Sequence, residues 1–167
     1  MRITFVRHAE SEYNEKHVLQ GRIDCDLSAA GEAAARERAK TFDASAFDLC
    51  FSSPLKRALR TARILAPGRE ILTDERLTER GLGEIEGALI CDETLFMLKN
   101  RDALPPGAET PEEVEERIAS FVESVRKDYP GKRILAVSHG GTIHAMMRRY
   151  GLEARPVKNL DEVTLEL

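Results

Sequence analysis

Two rhythms alternate along this chain: short apolar runs, and longer stretches in which apolar residues recur at helical spacing. The first run, Ile3-Thr4-Phe5-Val6, has the pattern of a strand buried on both faces of a parallel sheet. A polar, glycine-punctuated loop covers 20–27, and Ser28 then reads as the N-cap of an alanine-rich helix reaching about Phe42. Residues 47–51 predict a second strand, closed by Ser52-Ser53-Pro54. Ser53 there reads as a cap, with Pro54 at the first position of a helix that runs to Leu65. Pro67-Gly68 ends that helix, and 70–73 predict a short third strand.

An irregular stretch then passes through Gly81, Gly83 and Gly87 to a short amphipathic helix holding Leu95, Phe96, Met97 and Leu98. Those four residues fit either the wall of a substrate pocket or a cover on the core. After Pro105-Pro106-Gly107, Thr110 and Glu113 form a capping box. Val114, Ile118, Phe121, Val122 and Val125 then keep helical spacing to near Pro130-Gly131. Residues 133–137 predict a strand, followed by Ser138-His139-Gly140-Gly141 and a helix from Thr142 to Tyr150 that stops at Gly151. Residues 163–167 alternate with period two, as an edge strand does. The fold class is α/β: three layers, with helices on both faces of a mostly parallel central sheet.

The 167 residues fit a single domain with its own core. A net charge of −4 and a pI of about 5.7 argue against general nucleic-acid or anionic-membrane binding, so any anion site must be built locally from a few arginines. Cys25, Cys50 and Cys91 are odd in number and lack metal-ligand spacing, which predicts reduced thiols in a cytoplasmic protein and no metal site. The start of a strand within two residues of Met1 leaves no room for a signal peptide, and no apolar run is long enough to span a bilayer.

Candidate chemistry lies at the predicted strand ends and the loops beyond them: Arg7-His8, Arg57, Glu79 and His139. Carboxyl ends of parallel strands share one edge of a sheet, where ligands of such folds bind, so these residues can converge there. Two arginines and two histidines around one point are electrostatically poor without an anion, and a phosphoryl group matches the guanidinium fork. The helix after His139 adds N–H groups and partial positive charge for the same anion. Glu79, a carboxylate in an anion-seeking set, is better suited to moving a proton. His144 reads as structural or surface, His17 as a loop residue near the rim, and the glutamates from Glu112 to Glu116 as a solvated helix face.

The stretch Arg7-His8-Ala9-Glu10-Ser11-Glu12-Tyr13-Asn14 resembles the signature of the histidine phosphatase superfamily, in its phosphoglycerate-mutase-like branch. Further blocks resemble that family in order: Leu19-Gln20-Gly21-Arg22-Ile23-Asp24 with Leu27-Ser28 and Gly31, Ser52-Ser53-Pro54-Leu55-Lys56-Arg57-Ala58 with Thr61-Ala62, and Leu77-Thr78-Glu79 with 83–87. Pro106-Gly107-Ala108-Glu109-Thr110 and Ser138-His139-Gly140-Gly141 complete the series. The resemblance implies that His8 attacks phosphorus, that Arg7, Arg57 and His139 hold the phosphoryl oxygens, and that Glu79 protonates the leaving oxygen and later deprotonates water. It implies Asn14, Gln20, Gly21 and the backbone of Gly140 as binding positions, no cofactor and no metal. Ala9, Ser11, Cys25 and Ile85 depart from the family pattern without removing a catalytic group.

The leading expectation is a metal-independent phosphomonoesterase acting on a small phosphorylated metabolite, with 88–106 as a short insertion over the site. Alternatives from the same resemblance are a cofactor-dependent phosphoglycerate mutase, an α-ribazole phosphatase, a phosphohistidine-protein phosphatase and a non-catalytic phospholigand-binding module. The short span from Gly87 to Gly107, with only Lys99 and Arg101 basic, favours the phosphatase over the mutase.

Overall fold

The computed structural model describes residues 1–167. Five strands form one sheet: β1 (Arg2–Arg7), β2 (Leu49–Ser52), β3 (Leu72–Thr73), β4 (Arg133–Ser138) and β5 (Glu162–Glu166), in the order β3-β2-β4-β1-β5. All neighbours run parallel except β5, which pairs antiparallel with β1 at the sheet edge. Register places Arg7 beside Ser138 and Ser52 beside Val137. His8, Ser53 and His139 therefore leave the sheet together, one residue past three adjacent strands.

Six α-helices accompany the sheet: α1 (Glu12–Glu15), α2 (Ala29–Ala39), α3 (Lys56–Leu65), α4 (Asp92–Lys99), α5 (Pro111–Asp128) and α6 (Gly140–Arg149). Strand alternation decides the layers. Ile3, Phe5, Ile134 and Ala136 pack with Ile118, Phe121, Ile143 and Met146 of α5 and α6. Val6, Cys50, Leu135 and Val137 face the other way, onto Ala58, Ala62 and Leu65 of α3. α2 joins that second layer through Ala35, against Ala9 and Leu27. No helix is long and apolar enough to cross a membrane.

Several predicted boundaries shift. α3 begins at Lys56 with Leu55 as its N-cap, so neither Ser53 nor Pro54 opens it. The reason is tertiary: the Ser53 amide continues the ladder to the Val137 carbonyl at 2.9 Å, and its hydroxyl lies 2.8 Å from His139 Nε2. α2 stops at Ala39, and Phe42 instead stacks on Phe47 with ring centroids 5.6 Å apart. The Phe47 amide closes a 3₁₀ turn at Ala44–Ala46 by donating to the Ala44 carbonyl, and β2 starts only at Leu49. α6 starts at Gly140 rather than Thr142, with His139 as its N-cap. α1, closed by a capping box between Ser11 and Asn14, was not foreseen.

Candidate active site

Arg7 and His8 sit where β1 ends. The His8 amide donates to the Ser138 carbonyl at 3.0 Å, and the His8 carbonyl accepts the Asn159 side-chain amide at 2.8 Å. His8 Nδ1 lies 2.6 Å from the Ala9 carbonyl oxygen. A carbonyl only accepts, so Nδ1 carries the proton and Nε2 keeps a lone pair. The His139 ring lies with its centroid 5.0 Å from that of His8, and its Nε2 meets Ser53 Oγ. Both rings are buried. Burial, followed by the charge of Arg57, pushes both imidazoles well below the ordinary histidine value of 6.5; the Ala9 carbonyl opposes this only partly at His8. A neutral, tautomer-fixed His8 is a competent nucleophile at neutral pH.

Arg57 is wholly buried in the first turn of α3, donating to the carbonyls of Ile23 at 2.7 Å and Gly21 at 2.8 Å. Arg7 donates to the Val157 carbonyl at 2.7 Å and lies against Gly140, where a Cβ would come within 3.4 Å of Arg7 Nε. Four buried side-chain nitrogens have no hydrogen-bond partner in the protein, and three are Arg7 Nε, Arg57 Nε and His139 Nδ1. An unmet buried donor costs about 1–3 kcal/mol, so the two unmet guanidinium N–H groups near a neutral histidine suit an anionic guest.

Glu79 departs from the expected division of labour. Its carboxylate accepts N–H bonds from Gly141 at 3.1 Å, Thr142 at 3.2 Å and Arg80 at 2.8 Å, and so occupies the amino end of α6 itself. The helix end that the sequence offers to a phosphate thus holds the carboxylate beside it, leaving Gly140 as the helix-end amide that Glu79 does not take. A Cβ on Gly141 would meet Glu79 Oε1 at 2.5 Å, so glycine is needed for this approach.

Arg7, Asn14, Gln20, Gly21, Glu79 and Gly141 line a cavity of about 270 Å³, whose other walls include Val18, Leu19, Leu82, Ile90 and Leu98. His8, Arg57 and His139 lie buried behind its lining residues. A larger concavity of about 520 Å³ between α2 and α3 touches none of the predicted site residues. Asn14 Oδ1 accepts from the Ser11 amide and from Asn159, while Gln20 Oε1 accepts from Ser11 Oγ and Cys25 Sγ. Ile90 and Leu98 wall the cavity, whereas none of residues 95–98 joins the core clusters, and Phe96 is 59% exposed. His17 is exposed and does not line the cavity; His144 Nε2 pairs with the Arg155 carbonyl at 3.1 Å.

Sequence reasoning missed Asn159 and misread Ser53. Asn159 lies in the loop before β5 with no motif around it, and only the antiparallel return of the chain beside β1 brings it to His8. Ser53 carried a visible signal in its serine pair at a strand end, but a local cap explained it equally well.

The chain matches the model of the histidine phosphatase superfamily (branch 1) over residues 3–165. It is 40% identical over 156 residues to a Hydrogenobacter thermophilus protein provisionally named phosphoserine phosphatase 2, covering 87% of this chain and 76% of that one. It is 30% identical over 162 residues to a 2,3-bisphosphoglycerate-dependent phosphoglycerate mutase of a Methylobacterium species, covering 87% and 78%. Among solved structures, the mycobacterial glucosyl-3-phosphoglycerate phosphatase in complex with VO3 superposes with a TM-score of 0.87 at 25% identity, covering 99% of this chain and 92% of that one.

Proposed function

The chain belongs to the histidine phosphatase superfamily, branch 1, and from that membership we propose a metal-independent phosphomonoesterase that works through a phosphohistidine on small phosphorylated metabolites. The observation that carries this reading is the His8 Nδ1–Ala9 carbonyl bond, which leaves Nε2 unprotonated near the unpartnered guanidinium nitrogens of Arg7 and Arg57. Nε2 of His8 forms a bond to phosphorus as the bond to the leaving oxygen breaks, and Glu79 gives that oxygen its proton. Water then attacks the phosphohistidine, Glu79 takes the proton, the P–N bond breaks and inorganic phosphate leaves. Arg7, Arg57 and His139 hold the three non-bridging oxygens, with Asn14, Gln20, Gly21 and the Gly140 amide around them. Phosphoryl transfer passes through a loose transition state, so positioning and charge, which this set supplies, account for most of the catalysis.

Hydrolysis is favoured over return of the phosphoryl group to a second substrate. Lys99 and Arg101, the basic residues of 88–106, line a separate cavity with Leu104 and Pro111 and do not face the one holding Arg7 and Glu79. The test is rapid quenching during turnover of a phosphomonoester. An acid-labile, base-stable phosphoryl group should be found on His8, and His8→Ala should lose both the adduct and turnover while remaining folded. Turnover that persists in His8→Ala would overturn the mechanism.

A further inference from the structure

We propose that Arg117 and Glu109 are positioning residues that fix the proton-donating Glu79, an inference that rests on the acid role given to Glu79 above. Neither residue lines the cavity, and neither hydrogen-bonds to His8, Arg7 or Arg57. Arg117, on the second turn of α5, is 14% exposed and grips Glu109 with both prongs of its fork: Nε to Oε1 and Nη2 to Oε2, each at 3.1 Å. Its remaining nitrogen, Nη1, donates to the carbonyls of Arg76 at 2.7 Å and Thr78 at 3.0 Å. Glu109 in turn accepts the Gly81 amide at 2.7 Å and pairs with Arg22 at 2.9 Å, and its own amide donates to the Gly81 carbonyl at 2.9 Å. The pair therefore holds the backbone on both sides of Glu79.

The loop needs such a hold. Between the short 3₁₀ turn at Glu75–Leu77 and the next at Gly83–Ile85, residues 78–82 form no helix or strand that could set the direction of the Glu79 side chain. On the inner side, Thr142 Oγ1 donates to the Thr78 carbonyl at 2.6 Å and Ser138 Oγ to the Leu77 carbonyl at 2.7 Å, both from elements of the catalytic edge. The Thr78 carbonyl is thus shared between α5 and α6, and the loop is stretched between them. Burial favours a neutral Glu109, but the Arg117 fork, the Gly81 amide and the charge of Arg22 outweigh it and hold the carboxyl below its ordinary value. The clamp stays charged, bidentate and largely dry, the setting in which an Arg–carboxylate pair has geometric authority.

Misplacing a catalytic group by an ångström costs on the order of 10²-fold. Arg117→Met keeps the stem but removes the fork. It should lower kcat/KM for ethyl phosphate by about 10–10²-fold, because an alkoxide needs the Glu79 proton. For p-nitrophenyl phosphate, whose leaving group departs unprotonated, kcat/KM should fall by less than about 3-fold. In a Glu79→Gln background, Arg117→Met should add no further selective loss. Arg117→Lys, which keeps charge without the fork, and Glu109→Gln should show the same selectivity to a smaller degree and serve if the methionine variant does not fold. Equal losses for both substrates, or none, in folded variants overturn the clamp while a selective loss in Glu79→Gln alone leaves the acid role standing. An unselective loss in Glu79→Gln overturns the acid role and the clamp together.

Discussion

Acidifying the protein from about pH 7.5 to about pH 5.5 should destabilise it through two particular side chains. His8 and His139 are 2% and 0% exposed, and burial together with the Arg57 charge pushes both imidazoles well below 6.5. In the folded chain burial and the Arg57 charge resist protonation of both rings, while in the unfolded chain each takes up a proton as the pH falls through about 6.5. The unfolded state then binds more protons, so stability declines with falling pH. Integrating the linkage over those two pH units sets a ceiling on the order of 1 kcal/mol for each ring, and roughly 2–3 kcal/mol for the pair. Other depressed groups act lower: the Asp48 carboxyl, held at about 2 chiefly by its hydrogen bond from Arg133, gives up its contribution only as pH falls below the ordinary carboxylate range. Urea unfolding at constant ionic strength, for the wild type, His139→Gln and the His8→Asn/His139→Gln double variant, isolates the effect. Each ring removed should reduce the pH-dependent loss by up to about 1 kcal/mol, whatever the absolute stabilities at neutral pH. Saturating inorganic phosphate should shrink the loss in the wild type, because a bound anion favours the imidazolium. Identical losses in the wild type and the double variant would refute the picture of two buried neutral imidazoles.

Two shorter predictions test the frame around the site. Gly31→Ala should destabilise the protein by about 1–3 kcal/mol, since its Cβ would lie 1.9 Å from the Glu10 carbonyl oxygen and backbone must move to admit it; an unchanged thermal midpoint would contradict this. Activity should survive prolonged treatment with EDTA, because Arg7 and Arg57 supply the positive charge that a metal ion would otherwise bring; loss of activity restored by a divalent metal would contradict that role.

The sequence by itself determined the α/β layering, the strands of a mostly parallel sheet and the family resemblance, but not the order in which the strands pair. Strand runs at 3–6 and 133–137 were legible because burial on both faces leaves almost no polar residue in them. α5 was legible because Thr110 and Glu113 cap it and five apolar residues keep its period. The convergence of Arg7, His8 and His139 followed from parallel strands sharing one edge. What the sequence could not determine were contacts whose partners are far apart in the chain and chemically ambiguous in isolation. Ser53 is as good a helix cap as a histidine partner, and only the adjacency of β2 and β4 decides between them. Asn159 reaches His8 only because β5 turns back along β1. Glu79 and the amino end of α6 were read as separate features, one for a proton and one for an anion. In the folded chain the carboxylate satisfies that helix end, and Arg117 holds the loop that makes this possible. Local pattern encodes what a residue can bond with; which bond forms depends on what the tertiary structure places within three ångströms or so of it.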